Sequence, residues 1–528
     1  MKHCSAFLLF LMLAPTLAAD DGPVISVYNE ADRIQPLAPG SILLIYSTEF
    51  PIGPQAVQEA DAYPLVTELA GTSVQVTMGD RSIDAFVLAT HSQWVRAVLP
   101  SNTPAGEGSV VVTYNGRSSA PHTISVVDRA FALYNGEYAP PDYIAPPFFV
   151  PRAVQNVSLT GSVSSNSYVE PARPGQFAVL WGTGLGAAPG DERSGPIPGD
   201  LSIPGLQVIV GNQQGKILYA GRSGCCAGMD EVIFEVPAAI EGCNVPVWVR
   251  FGSDGWGSHD VLVSIASGEG ACSDVDGLSQ AEVQAAVSGK LTGAQISANT
   301  DYIGSKATSD WLVSFGNAAM SNRISSGTCA SNPWGLSSSS FVTTSSKDAG
   351  PVLNISGPGQ NLEAKRIDDN RYAASVDGAL NPGDYTLDGA GGSEVGPFHV
   401  NLSVPMLSLT SNIPDRITRG SLAEGLPVSW NGMEATNGFV AMWGQFAIDD
   451  ETCGGCGFVC YGRSNAGSFT IPAPILQRAA SQRGNPNELT LVVFYSRPER
   501  VSVRGFDIAE FTASIILPSR TITIESNY

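Results

Sequence analysis

Pro174-Gly-Gln-Phe-Ala-Val-Leu-Trp-Gly-Thr-Gly-Leu-Gly186 decides the fold, because the chain states it twice. Pro39-Gly-Ser-Ile-Leu-Leu-Ile-Tyr-Ser-Thr-Glu-Phe50 has the same form: a Pro-Gly turn, an apolar run rich in β-formers, then a Ser/Gly-Thr step. The sequence after each copy also corresponds. Val74–Gly79 answers Leu206–Gly211, Trp94–Pro100 answers Glu231–Pro237, and Ser109–Gly116 answers Asn244–Gly252. Each matched piece is a short strand closed by Gly or Pro, so the repeated unit is a set of strands.

Working outward, each repeat spans about a hundred residues with six or seven strands, the scale of an immunoglobulin-like β-sandwich. Residues 20–127 form the first repeat and 152–270 the second. Between them, 128–151 is rich in Pro and aromatic residues and lacks the N–H donors a sheet interior needs, so it reads as an extended connector. Residues 271–345 read as a connector with one short helix and edge strands, leading into the next β-domain, whose first strand is expected near Asp310-Trp-Leu-Val-Ser-Phe315. The helix is announced by Ser279-Gln-Ala-Glu282, a capping box. Residues 346–403 carry strands at Pro351–Ser356, Arg371–Val376 and Gly383–Leu387, a further β-domain. Residues 404–528 form a C-terminal immunoglobulin-like unit with strands such as Leu426–Trp430, Gly438–Trp443 and Leu489–Phe494, and Ala473–Arg478 reads as one helical turn. The expected class is all-β, a tandem of immunoglobulin-like sandwiches.

The 57 glycines and 36 prolines among 528 residues suit many short strands joined by turns. With 43% hydrophobic and 15% charged residues, the chain has the means to fold. A formal charge of −21 excludes a nucleic-acid partner, which needs a basic surface, and disfavours docking on an anionic membrane. Residues 1–19 read as a secretory signal peptide: Lys2 and His3, an apolar core from Ala6 to Leu13, then small residues at Ala18 and Ala19. No later run approaches the ~18 apolar residues of a spanning helix, so membrane insertion is not expected. The protein is expected to be secreted or extracellular, at the cell surface or in the periplasm.

Beyond Cys4 the chain has Cys225, Cys226, Cys243, Cys272, Cys329, Cys453, Cys456 and Cys460, an even set that reads as disulfides in an oxidising compartment. Closeness in sequence favours Cys225 or Cys226 with Cys243, and one pairing within 453–460. A vicinal Cys225–Cys226 bond and a thiolate metal site at 453–460 are the alternatives; the second lacks a nearby histidine to complete four ligands.

Other motifs carry little chemistry. Gly182–Gly186 resembles a phosphate loop but opens no helix, since Ala187-Ala-Pro-Gly190 follows, and so reads as a turn at a sandwich edge. Asp274-Val-Asp276-Gly277 is a fragment of a Ca²⁺ loop without its later acidic ligands. No Gly-x-Ser-x-Gly elbow occurs, and His259 after Gly257-Ser258 mirrors His122 after Ser119, a recurrence that points to structure. Asp449-Asp-Glu451 and Asp368-Asp369 read as solvated turns. Trp248 sits in an alternating strand; Trp256 and Trp334, if exposed, could stack on sugars. No catalytic or cofactor-binding residue is assigned.

Three stretches in order, Pro171–Gly186, Leu218-Tyr-Ala-Gly-Arg-Ser-Gly-Cys-Cys-Ala-Gly228 and Gly242-Cys-Asn-Val-Pro-Val-Trp-Val-Arg250, resemble the Solibacter-type uncharacterised domain of secreted acidobacterial proteins. The resemblance covers residues 22–272 and implies tandem IPT/TIG-like immunoglobulin-like sandwiches without an established activity. The first repeat departs from that pattern at Tyr46-Ser-Thr-Glu49, where the family has a Gly-Thr-Asn-like step. The leading functional expectation is a non-enzymatic interaction or adhesion scaffold, binding a glycan or a surface protein through loops. A carbohydrate-active enzyme or its accessory module, and a spacer without ligand, are the alternatives.

Overall fold

Alternating strands separated by Gly and Pro turns become sheets throughout. In the computed structural model, 39 strands stand against two α-helices and two short 3-10 turns among the described residues. The structure describes residues 22–525 apart from 33–35, 61, 135–153, 159–160, 253–256, 275–276, 305, 332–338, 369–370, 407–408, 432–437, 449–450 and 482–485. Residues 1–19, expected as a signal peptide, and most of the expected Pro-rich connector, from residue 135 on, therefore lie outside the described residues.

The first repeat is a sandwich of a five-stranded and a six-stranded sheet. In one, Ile42–Tyr46 lies between Ser26–Asn29 and Trp94–Val98, with Phe86–Thr90 next. In the other, Thr72–Met78 pairs with Gly106–Tyr114. Alternate residues of both sheets, among them Val27, Leu43, Val76, Val87, Val95 and Val112, fill the space between them. Each such side chain, fully buried, contributes about 1.5–3 kcal/mol. Asn115 and Gly116 take φ of 49° and 80°, so the Asn-Gly pair turns the chain as a hairpin requires.

The second repeat reuses this plan in a ten-stranded sheet. Phe177–Thr183, the strand of the quoted stretch, pairs with Asp230–Glu235 as Ile42–Tyr46 pairs with Trp94–Val98. Gln213–Arg222 follows Asp230–Glu235 in the sheet as Phe86–Thr90 follows Trp94–Val98. Trp248 is fully buried on Gly242–Phe251.

Beyond residue 272 the helix Gln280–Val287 forms with its capping box intact: the Ser279 side chain accepts from the Glu282 N–H, and the Glu282 carboxylate accepts from the Ser279 N–H. The stretch expected as a connector also carries two long antiparallel strands, Thr292–Ile303 and Lys306–Met320. The second contains the strand expected near Asp310; small and hydroxylated residues disguise the alternation of the first, and Ala294, Ile296, Ala298, Trp311, Val313 and Phe315 all face one core. Thr292–Ile303 pairs in parallel with Ile508–Ile516, and Lys306–Met320 pairs with Arg371–Asp377. One 15-stranded sheet thereby runs from the strands of 346–403 into those of the C-terminal unit. Ala473–Ser481 is a nine-residue helix rather than a single turn; it seats Ile475, Leu476 and Ala479 in the C-terminal core.

Candidate functional site

The quoted stretch is the centre of a buried polar joint between the two repeats. Thr183 ends its strand under the first repeat, where its hydroxyl accepts from the Ile42 N–H at 2.9 Å and donates to the Gly228 carbonyl at 2.6 Å. The Gly184 turn, at φ 106°, then points two N–H groups at one oxygen of Asp230, each at 2.7 Å. The likeness to a phosphate loop thus has a physical core: the turn does receive an anion, supplied by the protein itself.

Asp230 is fully buried and its other oxygen accepts from Arg222, which is 2% exposed. Arg222 reaches across the joint, donating to the Gly186 carbonyl at 2.6 Å and the Pro39 carbonyl at 3.3 Å, with Glu192 3.6 Å away. Glu192 in turn accepts from the Ser101 N–H at 2.9 Å and from its hydroxyl. Arg222 touches both copies of the repeated stretch, and only glycine fits at position 40: a Cβ there would lie 1.5 Å from the Arg222 Nη2. Burial raises the Asp230 carboxyl above the usual range, against the pull of Arg222 and the Leu185 and Gly184 N–H groups. Around these charges Ile42, Leu65, Val98, Tyr134, Ala227 and Met229 close an apolar collar.

This joint occupies the end of the second sandwich where Phe177–Thr183 finishes and Asp230–Glu235 begins. At the matching end of the first sandwich, the residues that line a surface cleft all come from the first repeat. There, Ser47–Pro51, Gln55 and the turn His91–Gln93 line an open cleft of about 610 Å³. The two ends diverge at the step where the repeats differ in sequence, Ser47-Thr-Glu49 against Gly182-Thr-Gly184.

A second polar joint ties the C-terminal helix to the second repeat. Arg478 donates to Asp260 at 2.7 Å and to the Ser331 hydroxyl, and its guanidinium lies 5.0 Å from the Trp248 ring centroid. His259 packs beside them, 4.0 Å from Asp32 of the first repeat; burial and then Arg478 lower its pKa to about 4. It is a neutral structural histidine. The recurring element is the serine before it. Ser119 and Ser258 each accept from a strand N–H (Val112 and Val249) and donate to the next residue's carbonyl.

Cys225, Cys226 and Cys243 pair differently from the expectation based on closeness. Cys225 bonds Cys226, Cys243 bonds Cys272, and Cys329 bonds Cys460. Cys243 sits on a strand whose start faces the 272 segment, while Cys329 is registered directly opposite Cys460 across a sheet. Cys460 is thus unavailable to a pairing within 453–460. Cys456 is also disulfide-bonded, and the Cys453 side chain lies outside the described residues. Asp274 of the Ca²⁺-loop fragment accepts from the Cys243 N–H and the Ser325 hydroxyl, each at 3.1 Å, and Asp276 lies outside the described residues. Asp368 accepts from Arg371 at 2.7 Å. Asp369, Asp449, Asp450, the Glu451 side chain, Trp256 and Trp334 lie outside the described residues as well.

Sequence reasoning missed Arg222, Asp230, Glu192 and Ser101, and did not single out Glu49 or Gln93. The one signal was Arg222 ending a strand beside Gly221. No described helix is long and apolar enough to cross a membrane.

No protein-family model matches the chain, and no curated protein matches it. Among solved structures, it is similar to FdeC, an Escherichia coli adhesin, at 12% identity over 71% of this chain and 96% of that one, with a TM-score of 0.14. It is also similar to immunoglobulin domains 1–4 of Sidekick-1, at 9% identity over 96% and 99% of the two chains, with a TM-score of 0.13. Domains 5–6 of the S-layer protein SbsC give 16% identity over 47% and 97%, with a TM-score of 0.12. Likenesses this weak say nothing about activity or ligand.

Proposed function

We propose that the protein is a secreted, non-enzymatic interaction scaffold whose first two sandwiches act as one stiff unit. It holds the open end of the first repeat toward a glycan or a surface protein. The observation that carries this reading is the contrast between equivalent ends: in the second repeat the end is filled by a neighbour, in the first it is an open polar cleft. Binding residues concentrate on loops held by a rigid scaffold, and the first repeat has that arrangement. Secretion is supported by the Lys2–Ala19 pattern and by the bonds Cys243–Cys272 and Cys329–Cys460, of a kind that persists in oxidising compartments. Membership of residues 22–272 in the Solibacter-type family is part of the proposal, supported by the three motifs, two of which build the joint.

The test is a binding screen of the mature chain, beginning at Asp20, on arrays of glycans and extracellular proteins. Saturable binding that disappears when residues 47–55 are replaced by a Gly/Ser loop is expected. No binding to either array, or binding indifferent to that replacement, overturns the proposal.

A further inference from the structure

The cleft of the first repeat is held open by its own backbone. The Ser47 N–H donates to the Gln93 carbonyl at 3.0 Å, Ile52 N–H to Ser92 at 2.9 Å, and His91 N–H to Trp94 at 2.8 Å. Beneath them the Thr90 hydroxyl donates to that of Thr72 at 2.9 Å, which donates to the Ile52 carbonyl at 3.1 Å. Gly53 is clamped against this floor: a Cβ there would meet the Thr90 Oγ1 at 2.2 Å and the His91 carbonyl at 2.6 Å. The loop is shaped before any ligand arrives, which removes part of the ordering cost of binding.

The lining is unspent. Among the described residues, the side chains of Thr48, Glu49, Gln55 and Gln93 make no hydrogen bond within the chain, although all four border the same cavity. The His91 Nδ1 accepts from the Gln93 N–H at 3.4 Å, which leaves Nε2 as a donor. Phe50 forms part of the wall, one ring face covered by the Arg117 guanidinium at 4.3 Å.

Resting on the scaffold reading above, we propose that this cleft is a binding site for a neutral oligosaccharide. Sugar hydroxyls donate and accept at once. One carboxylate, two primary amides, a hydroxyl and an imidazole N–H match such groups in both roles. No Lys or Arg lines the cavity, and Glu49 together with the −21 net charge opposes uronic acids, sialic acids and phosphates. The concave volume of about 610 Å³ lies in the small-ligand range, whereas a protein hot spot centres on Trp, Tyr and Arg anchors, none of which is among the lining residues.

The test is calorimetric titration of the mature full chain with neutral gluco-, galacto- and manno-oligosaccharides, beside their uronic-acid counterparts. At least one neutral series binds saturably and independently of salt. Glu49→Ala and Gln93→Ala each weaken it about tenfold or more, equivalent to about 1.4 kcal/mol. Glu363→Ala, on a distant exposed strand, leaves it unchanged. Unaltered melting of the variants separates lost contacts from lost fold. Binding of array proteins through 47–55 without any neutral sugar overturns this inference and leaves the scaffold reading standing. Preference for the acidic series, or indifference to both cleft substitutions, also overturns it. No binding to sugars or proteins overturns both.

Discussion

Arg222→Met removes the cation from the joint and leaves Asp230, fully buried, and Glu192, 4% exposed, without their counter-charge. Breaking one partner of a buried pair costs about 3–5 kcal/mol, because the stranded charge keeps its desolvation penalty. The two repeats together make a unit of roughly 250 residues, in which each kcal/mol moves Tm by about 2–4 °C, so a fall of about 6–20 °C is expected. Differential scanning calorimetry of the mature chain, with urea unfolding alongside, reads this directly. In the unaltered protein the two repeats should melt in one transition, since the joint couples them. Adding Asp230→Asn should restore about 1–2 kcal/mol, because an amide oxygen can still accept from the Gly184 and Leu185 N–H groups without a charge to strand. A single substitution within about 1 kcal/mol of the original, or a double variant no better than the single, would refute the reasoning.

Other outcomes follow from the same geometry. Gly40→Ala should destabilise the joint comparably, since its Cβ would collide with Arg222 at a backbone φ of 79°; urea midpoints check it. Thr183→Val removes two buried hydrogen bonds, the one from Ile42 joining the repeats and the one to Gly228 lying within the second, and should cost about 1–3 kcal/mol in the same assay. His259, held neutral with a pKa of about 4, binds its proton more readily in the unfolded chain, near 6.5. Its contribution is therefore intact above about 6.5 and falls by about 1.4 kcal/mol per pH unit down to about 4, a slope that His259→Gln should flatten in pH-dependent melts. A non-reducing peptide map should recover Cys243 linked to Cys272 and Cys329 linked to Cys460. Opening the second bond, whose partners are 131 residues apart, should cost up to about 5 kcal/mol by loop entropy.

The strands of the two repeats were legible because a half-buried strand prints its period into the sequence and Pro-Gly turns mark where each begins. The helix at Gln280 was legible for the same local reason, its Ser279/Glu282 capping pair. Thr292–Ile303 hid because Ala, Ser, Asn and Thr can alternate in burial without alternating strongly in hydropathy, whereas the large apolar residues of Asp310–Phe315 marked the strand beside it. The joint hid for another reason. Arg222, Asp230, Glu192 and Ser101 look like surface residues one at a time, and only the docking of two sandwiches makes them a buried set. Disulfide pairing is spatial in the same way: Cys329 and Cys460 meet because two strands far apart in sequence lie in register. The cleft was foreshadowed only by Ser47-Thr-Glu49, where the first repeat abandons the glycines of its twin.

The way the repeats are fastened also sets how the molecule bears load. An apolar contact is non-directional and lets surfaces slide while still attracting. The fastening at Gly184, Asp230, Arg222 and Pro39 is made of aligned donors and acceptors whose strength falls steeply with angle and distance. Pulled or twisted, such a coupling holds with little give and then fails at once, like a shear pin. A force applied across the two sandwiches would be passed undamped from one to the other until that pin broke.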